Sequence, residues 1–153
     1  MKLEKKSIVY LLLPLVVGAL SGILTGNGMN LYKNLNQPAL SPPGWIFPVV
    51  WTILYLLMGL GSYLVATSYS PYKDKALLYY IIQLILNFLW SPVFFILNNY
   101  VLAFFILLLL WYFIIKMIAS FWQVNKIAAL LQIPYLLWVT FAGYLNLAII
   151  FLN

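Results

Sequence analysis

The sequence predicts an all-α integral membrane protein, a bundle of five transmembrane helices with a long lid-like first loop. Three observations carry this expectation. Hydrophobic residues make up 66% of the 153 residues and charged residues only 7%, against about 25% charged in a typical soluble domain. The apolar residues fall into five runs, each near the roughly 20 residues that cross a bilayer as a helix. The eight cations are all lysines, set singly or in small groups between those runs, as membrane proteins carry their charge. So few charges cannot make a water-facing surface, which excludes a soluble enzyme, a signalling domain and a nucleic-acid binder.

The spans follow from reading between charges. The first covers 7–26. Its lysine-rich start and small-residue string Gly18-Ala19-Leu20-Ser21-Gly22 imitate a signal peptide, but the apolar run outlasts a signal core and reads as a retained span. The others cover about 45–69, 77–97, 100–122 and 127–152, all in one membrane domain spanning 1–153. The links after the third and fourth spans are short and make antiparallel neighbours. The first link, 27–44, is long and holds Tyr32, Gln37 and the rigid turn Ser41-Pro42-Pro43-Gly44. A long ordered link over a cavity behaves as a lid.

Lysine counting sets the direction. With five spans the termini lie on opposite sides. The N-terminal side carries Lys2, Lys5, Lys6, Lys73, Lys75 and Lys126, with Lys116 snorkelling toward it, and the other side carries only Lys33. This places the N-terminus in the cytoplasm, and the first link and the C-terminus outside, in a plasma membrane expected to be bacterial.

The composition removes most chemistry. There is no Cys, His or Arg, so disulfides, the usual zinc sites, Cys or His nucleophile–base pairs and His-ligated haem are excluded. The two acids, Glu4 and Asp74, lie outside the apolar runs, and no carboxylate pair can work inside the membrane. No metal site and no cofactor are expected.

What is left is a pattern of neutral polar and aromatic residues at depth. Gly18, Gly22 and Gly26 recur every four residues on the first span. They read either as packing within the bundle or as a homodimer seam. Pro14 reads as an ordinary kink, whereas Pro48, Pro92 and Pro134 read as kinks that open a cavity. Trp45 and Trp122 sit at span ends as interfacial anchors, and Trp111 reads as packing or lipid contact. Trp51 and Trp138 are deeper, and a buried indole N–H wants an acceptor or a ligand. Four-residue steps join Trp51, Tyr55 and Gly59 on the second span. They join Gln83, Asn87 and Ser91, beside Trp90 and Phe94, on the third, and Trp138, Ala142 and Asn146, beside Leu145, on the fifth. Polar groups in a bilayer turn inward, so these stripes converge beneath the first link. They read as an apolar, aromatic pocket or, for the amides, as interhelical glue.

The ordered motifs Trp45-x-x-Pro48-x-x-Trp51-x-x-x-Tyr55-x-x-x-Gly59, Gln83-x-x-x-Asn87-x-x-Trp90-Ser91-x-x-Phe94-Phe95 and Pro134-Tyr135-x-x-Trp138-x-x-Phe141-Ala142-x-x-x-Asn146 resemble the translocator proteins. This is the TspO/MBR family, also called tryptophan-rich sensory proteins or peripheral benzodiazepine receptors. The resemblance covers nearly the whole chain. It implies a five-helix bundle, commonly a homodimer, that binds porphyrins such as protoporphyrin IX. In animal members it also implies binding of cholesterol and synthetic ligands of benzodiazepine and isoquinoline-carboxamide type. Carried over by motif, Trp51, Asn87, Trp138 and Ala142 line the ligand pocket. Some bacterial members promote light-dependent breakdown of porphyrin, and by that likeness Trp51 and Trp138 are the reactive or positioning pair. Animal members carry a Tyr followed by a basic residue near the C-terminus. Here the tail from Gly143 to Asn153 has no Lys or Arg, which puts steroid import in doubt.

Residues and resemblance together give one candidate ligand-binding set: Tyr32, Pro42, Trp51, Tyr55, Asn87, Ser91, Phe94, Trp138, Ala142 and Leu145. A porphyrin is a flat aromatic disc on which indole and phenol rings stack, and its propionates could reach Lys33 or water. Three functions stay open: a porphyrin receptor or carrier, with or without light- and oxygen-dependent breakdown; a transporter of a small apolar solute; and a non-catalytic modulator of partner membrane proteins.

Overall fold

The computed structural model describes residues 5–26 and 28–153, with Met29 described by its backbone only. Lys2, Glu4 and Asn27, which entered the charge count and the first link, lie outside the described residues. Among the described residues seven helices follow in order: α1 (Lys5–Leu24), α2 (Gly28–Lys33), α3 (Ile46–Ala66), α4 (Lys73–Phe95), α5 (Tyr100–Val124), α6 (Lys126–Leu130) and α7 (Ile133–Leu152). Among the described residues five segments are long and apolar enough to span a membrane, with α6 and α7 together forming the fifth. The first link is not all irregular, since α2 lies inside it.

The fifth span is broken where one continuous helix is expected. Proline lacks an N–H and its ring clashes with the carbonyl four residues earlier. Pro134 stands in the first turn of α7, and α6 stops at Leu130. Gln132 stabilises the break. It is fully buried, and its Nε2 donates to the Leu57 carbonyl at 3.1 Å and to the Ala128 carbonyl at 3.4 Å. That approach requires Gly61, because a Cβ there would overlap the Gln132 amide.

Pro14 has a different solution. A proline in a helix leaves the carbonyl at i−4 without its donor, here that of Tyr10. Ser62 Oγ donates to this oxygen at 3.0 Å and Tyr80 Oη at 2.9 Å. One missing backbone bond thus becomes a junction of α1, α3 and α4. One turn away, α1 and α3 touch backbone to backbone. A Cβ on Gly59 would overlap the Leu11 carbonyl oxygen, so this crossing admits only glycine. Pro48 opens no kink, since it lies in the first turn of α3, where no helical bond is lost. Asn99 and Asn125 begin α5 and α6 by accepting hydrogen bonds from Leu102 N and Ala128 N.

Packing is uneven along the bundle. The most buried residues come from the C-terminal half of α3 (Met58, Tyr63, Val65) and the N-terminal half of α4 (Ala76, Tyr80). They continue through the C-terminal half of α5 (Ile114, Met117, Phe121) into α6 and the start of α7 (Ala128, Tyr135). All lie toward the lysine-bearing end. At the other end a small cluster of Tyr32, Phe94, Ala103 and Ile149 holds the first link down. Between the two, the helices separate around a cavity.

Candidate functional site

The cavity has a volume of about 440 Å³, within the usual range for small-molecule pockets. Its walls come from α1, α3, α4 and α7, with Tyr32 of α2 at the top. Of the candidate ligand-binding residues, Tyr32, Trp51, Tyr55, Asn87, Ser91, Phe94, Trp138, Ala142 and Leu145 all line it. Pro42 does not. The turn it belongs to lies in the link outside the lining, while Tyr32 of the same link reaches in.

The rings form a connected wall. Trp51 stacks on Tyr55 with centroids 5.5 Å apart and planes 28° apart. It meets Trp138 edge-on at 6.5 Å and Tyr135 edge-on at 6.2 Å. Phe47 bridges Trp138 to Tyr32 by edge contacts of 5.8 and 5.6 Å. On the facing helix, Trp90 lies 5.2 Å from Phe94 and edge-on to Phe95.

Behind this wall runs a buried polar chain. Tyr55 Oη donates to Asn87 Oδ1 at 2.9 Å, and Asn87 Nδ2 donates to Tyr135 Oη at 2.8 Å. Tyr135 Oη donates to Gln83 Oε1 at 2.7 Å. The chain ties α3, α4 and α7 at one level and fixes the plane of Tyr55, the floor ring of the cavity. A second tie runs from Trp90 Nε1 to Asn146 Oδ1 at 3.0 Å, with Asn146 Nδ2 donating to the Tyr100 carbonyl at 2.9 Å. The three amides are therefore interhelical glue, and Asn87 and Asn146 serve in the lining as well. Gln83 is fully buried and outside the lining.

Once these bonds are made, few polar atoms in the wall lack a partner. Among the described residues, Trp138 Nε1 and Ser21 Oγ are buried and unbonded, and both residues line the cavity. An unpaired buried donor costs about 1–3 kcal/mol; the Trp138 N–H is closed to a water-sized molecule as it stands, so an acceptor in the cavity meets it only when the indole turns.

α1 contributes more than its sequence announces. Leu15, Gly18, Ala19, Ser21 and Gly22 all line the cavity, as does Thr25 just beyond its end. A Cβ on Gly18 would lie 2.6 Å from the Tyr55 ring, whereas one on Gly22 would meet nothing within 4 Å. The Gly18 position is therefore packing within the bundle, and at Gly22 a methyl group would meet only open space. Gly26 is outside the lining. Trp111, read as packing or lipid contact, donates to Thr140 Oγ1 at 2.9 Å and is 39% exposed.

The link above the cavity is fastened at several points. Tyr32 Oη and Ser41 Oγ are 2.7 Å apart, and Gln37 Nε2 donates to the Tyr32 carbonyl at 2.9 Å. Tyr144 Oη donates to the Ala39 carbonyl at 2.7 Å. Asn36 exchanges bonds with the end of α7: its N–H donates to Asn153 Oδ1, and Asn153 Nδ2 donates back to its carbonyl, both at 3.1 Å. Burial pushes the Tyr32 phenol above its ordinary pKa, and its bond to Ser41 pulls it partly back. The phenol is neutral at physiological pH.

Sequence comparisons agree with the motifs. The model of the TspO/MBR family matches residues 10–152. The chain is 39% identical over 122 residues to a tryptophan-rich sensory protein of Cereibacter sphaeroides, covering 80% of this chain and 76% of the other. It is 36% identical over 129 residues to the human translocator protein, covering 82% and 76%. Identity is 33% over 149 residues to the tryptophan-rich protein TspO of Archaeoglobus fulgidus, covering 97% of each.

Proposed function

The chain belongs to the TspO/MBR family of integral membrane proteins, and from that premise we propose that it is a receptor or carrier for porphyrins and similar flat apolar ligands. The observation that supports this best is the wall of the cavity, where Trp51 and Trp138 meet edge-on and the Trp138 N–H has no protein acceptor. A planar aromatic ligand with a carbonyl or carboxylate edge supplies a stacking surface and, with a turn of the indole, that acceptor. The polar chain through Asn87 keeps Tyr55 and Tyr135 in place before the ligand arrives, which lowers the ordering cost of binding. Synthetic ligands of isoquinoline-carboxamide or benzodiazepine type have the same two features.

In this reading the whole chain is one membrane domain, with the N-terminus in the cytoplasm of a bacterial plasma membrane. Lys5, Lys6, Lys73, Lys75 and Lys126 then face inward, and the first link with Lys33 covers the pocket from outside. A homodimer would use a face of α1 other than that of Gly18, which Tyr55 already occupies.

A second activity has support of its own. The contact series Tyr55–Trp51–Trp138 places oxidisable rings side by side in the wall. A bound porphyrin excited by light could draw an electron from them and pass it to dioxygen, and the ring radical left behind could take an electron back from the porphyrin, so that the rings are restored and the net change is oxidation of the porphyrin by dioxygen. Titration of the protein in nanodiscs with protoporphyrin IX, first dark and then illuminated, tests both. Saturable dark binding is expected, and a Soret band lost on illumination only when Trp51 and Trp138 are present would add the breakdown. An absence of saturable binding would refute the receptor reading.

A further inference from the structure

We propose that ligands enter the cavity sideways from the membrane, through a window between α1 and α3 in the leaflet on the side of the first link. The proposal rests on the reading of the cavity as a ligand pocket, and adds where the ligand comes from and how it is built. Of the residues that line the cavity, only Ala19, Gly22, Pro48 and Thr52 are exposed. Ala19 and Gly22 lie three apart on one face of α1, and Pro48 and Thr52 four apart on one face of α3. A residue that both lines a cavity and is exposed stands at its mouth, so the mouth has these two helices as its sides.

The register of the two antiparallel helices explains why they part here. Leu11 and Gly59 each stand thirteen residues from the helix end nearest the first link, about 20 Å down at 1.5 Å per residue. There the backbones touch, and a Cβ on Gly59 would overlap the Leu11 carbonyl oxygen. Nearer the link, the Tyr55 ring packs on Gly18 and fills the space between them. Beyond it come Ala19 and Thr52, five and six residues from the same end, and then Gly22 and Pro48, two residues from it. Ala19 and Gly22 offer nothing larger than a methyl group, and even a Cβ on Gly22 would meet nothing within 4 Å. The window therefore runs from about 3 to about 9 Å below the helix ends. The way in from water passes under the first link, which Tyr144 and Asn153 tie to α7.

Chemistry and depth select the ligand. The hydroxyls of the rim are already used: Thr52 Oγ1 donates to the Pro48 carbonyl at 2.7 Å, and Thr25 Oγ1 to the Ser21 carbonyl at 2.6 Å. The rim presents methyl groups and a proline ring, and a hydrocarbon surface passes it without unpairing a polar group. A planar ring needs only one van der Waals thickness, about 3.5–4 Å, to pass edge-on. Because the window reaches the helix ends, an acid group on the edge of the ring stays at headgroup level while the ring slides in. No charge then has to cross the hydrocarbon. The window fits a planar amphiphile with its acids on one edge, dissolved in that leaflet, rather than a ligand taken from water.

The test uses the full chain in nanodiscs and protoporphyrin IX delivered from donor vesicles, with uptake and release followed by fluorescence. The sequence has no cysteine, so Thr52→Cys gives a single thiol at the window. Benzyl methanethiosulfonate blocks it in detergent before reconstitution, and a reductant clears it again. The blocked protein should take up and release porphyrin about ten-fold more slowly or worse, with both rates slowed alike, and the reductant should restore both. Ala19→Cys, across the window, should behave the same way. The same group on Asn34→Cys, in the link, should change neither rate more than about two-fold. Asn36→Ala with Asn153→Ala, which unties the link, should not speed uptake beyond that. Faster release with unchanged uptake in the blocked protein would make Thr52 a wall contact and overturn the window. So would rates that ignore the block, or uptake that accelerates when the link is untied, which would bring the ligand in from water. No saturable uptake by the unmodified protein would instead refute the receptor reading, and the window with it.

Discussion

Tyr135 is the most informative single residue to change. Its hydroxyl accepts from Asn87 and donates to Gln83 at 2.8 and 2.7 Å, and the residue is 1% exposed. Tyr135→Phe keeps the ring, its edge contact with Trp51 and its volume, so no cavity forms. Two interhelical hydrogen bonds are lost, at about 0.6 kcal/mol each on average in membrane bundles. One donor hydrogen of Asn87 and one acceptor of Gln83 are left buried without that partner, a penalty of about 1–3 kcal/mol for each group that stays unpaired. The expected loss is about 1 kcal/mol from the two bonds alone and about 2–4 kcal/mol when one of the two groups stays unpaired, measured by reversible denaturation in mixed micelles. Gln83→Leu removes the orphaned acceptor, so the double variant should be less destabilised than the sum of the singles. Because Asn87 loses one of its two ties and with it the grip on Tyr55, porphyrin affinity should fall as well. A Tyr135→Phe protein within about 0.5 kcal/mol of wild type, or strict additivity with Gln83→Leu, would refute the claim that this chain holds the floor of the pocket.

Other consequences can be checked in parallel. Gly18→Ala should displace the Tyr55 ring and weaken ligand binding several-fold, while Gly22→Ala, with open space around it, should leave binding and stability nearly unchanged. Equal effects in the two variants would point to a shared seam rather than pocket packing. Gly59→Ala forces a Cβ onto the Leu11 carbonyl oxygen, so α1 and α3 must part, at a cost of about 1–3 kcal/mol on the scale of overpacked cores; an unfolding curve matching wild type would contradict it. The Tyr32 phenol has its pKa raised in the folded protein. Its contribution to holding the link is therefore full below the unfolded value, about 10, and is lost as pH rises through the higher folded one. Hydrogen exchange in residues 34–41 should accelerate only above pH 10, and Tyr32→Phe should remove that alkaline step. Exchange that is flat with pH in wild type, after correction for the intrinsic rate, would count against the latch.

Much of this architecture was legible in the sequence because lipid imposes simple rules. Apolar length and lysine placement mark the spans, and the four-residue steps on α3, α4 and α7 mark three walls of the cavity. The fourth wall was hidden. Nothing in the small-residue face of α1 distinguishes a helix seam from a pocket lining; Tyr55, 37 residues further on, decides it for Gly18. The role of Pro14 was also out of reach, since the freed Tyr10 carbonyl is visible but its donors, Ser62 and Tyr80, are 52 and 70 residues away. Tyr135 stood inside a motif without a role, because a tyrosine at depth shows its partner only when Asn87 and Gln83 are brought to it. Pro42 was placed too near the cavity. Its turn is rigid, but rigidity does not say which side of the link faces down. The break between α6 and α7 follows from Pro134 by backbone chemistry alone, and the buried Gln132 that seals it does not.

The central claim is that the aromatic cavity beneath the first link takes a porphyrin through the Trp51–Trp138 corner. The most direct measurement is a dark titration with protoporphyrin IX in nanodiscs, comparing wild type with Trp51→Phe and Trp138→Phe. Saturable binding in wild type, weakened in both variants and most of all where the unpaired Trp138 N–H is removed, is the predicted result. Equal affinity in all three proteins, or no saturable binding in any, would contradict it.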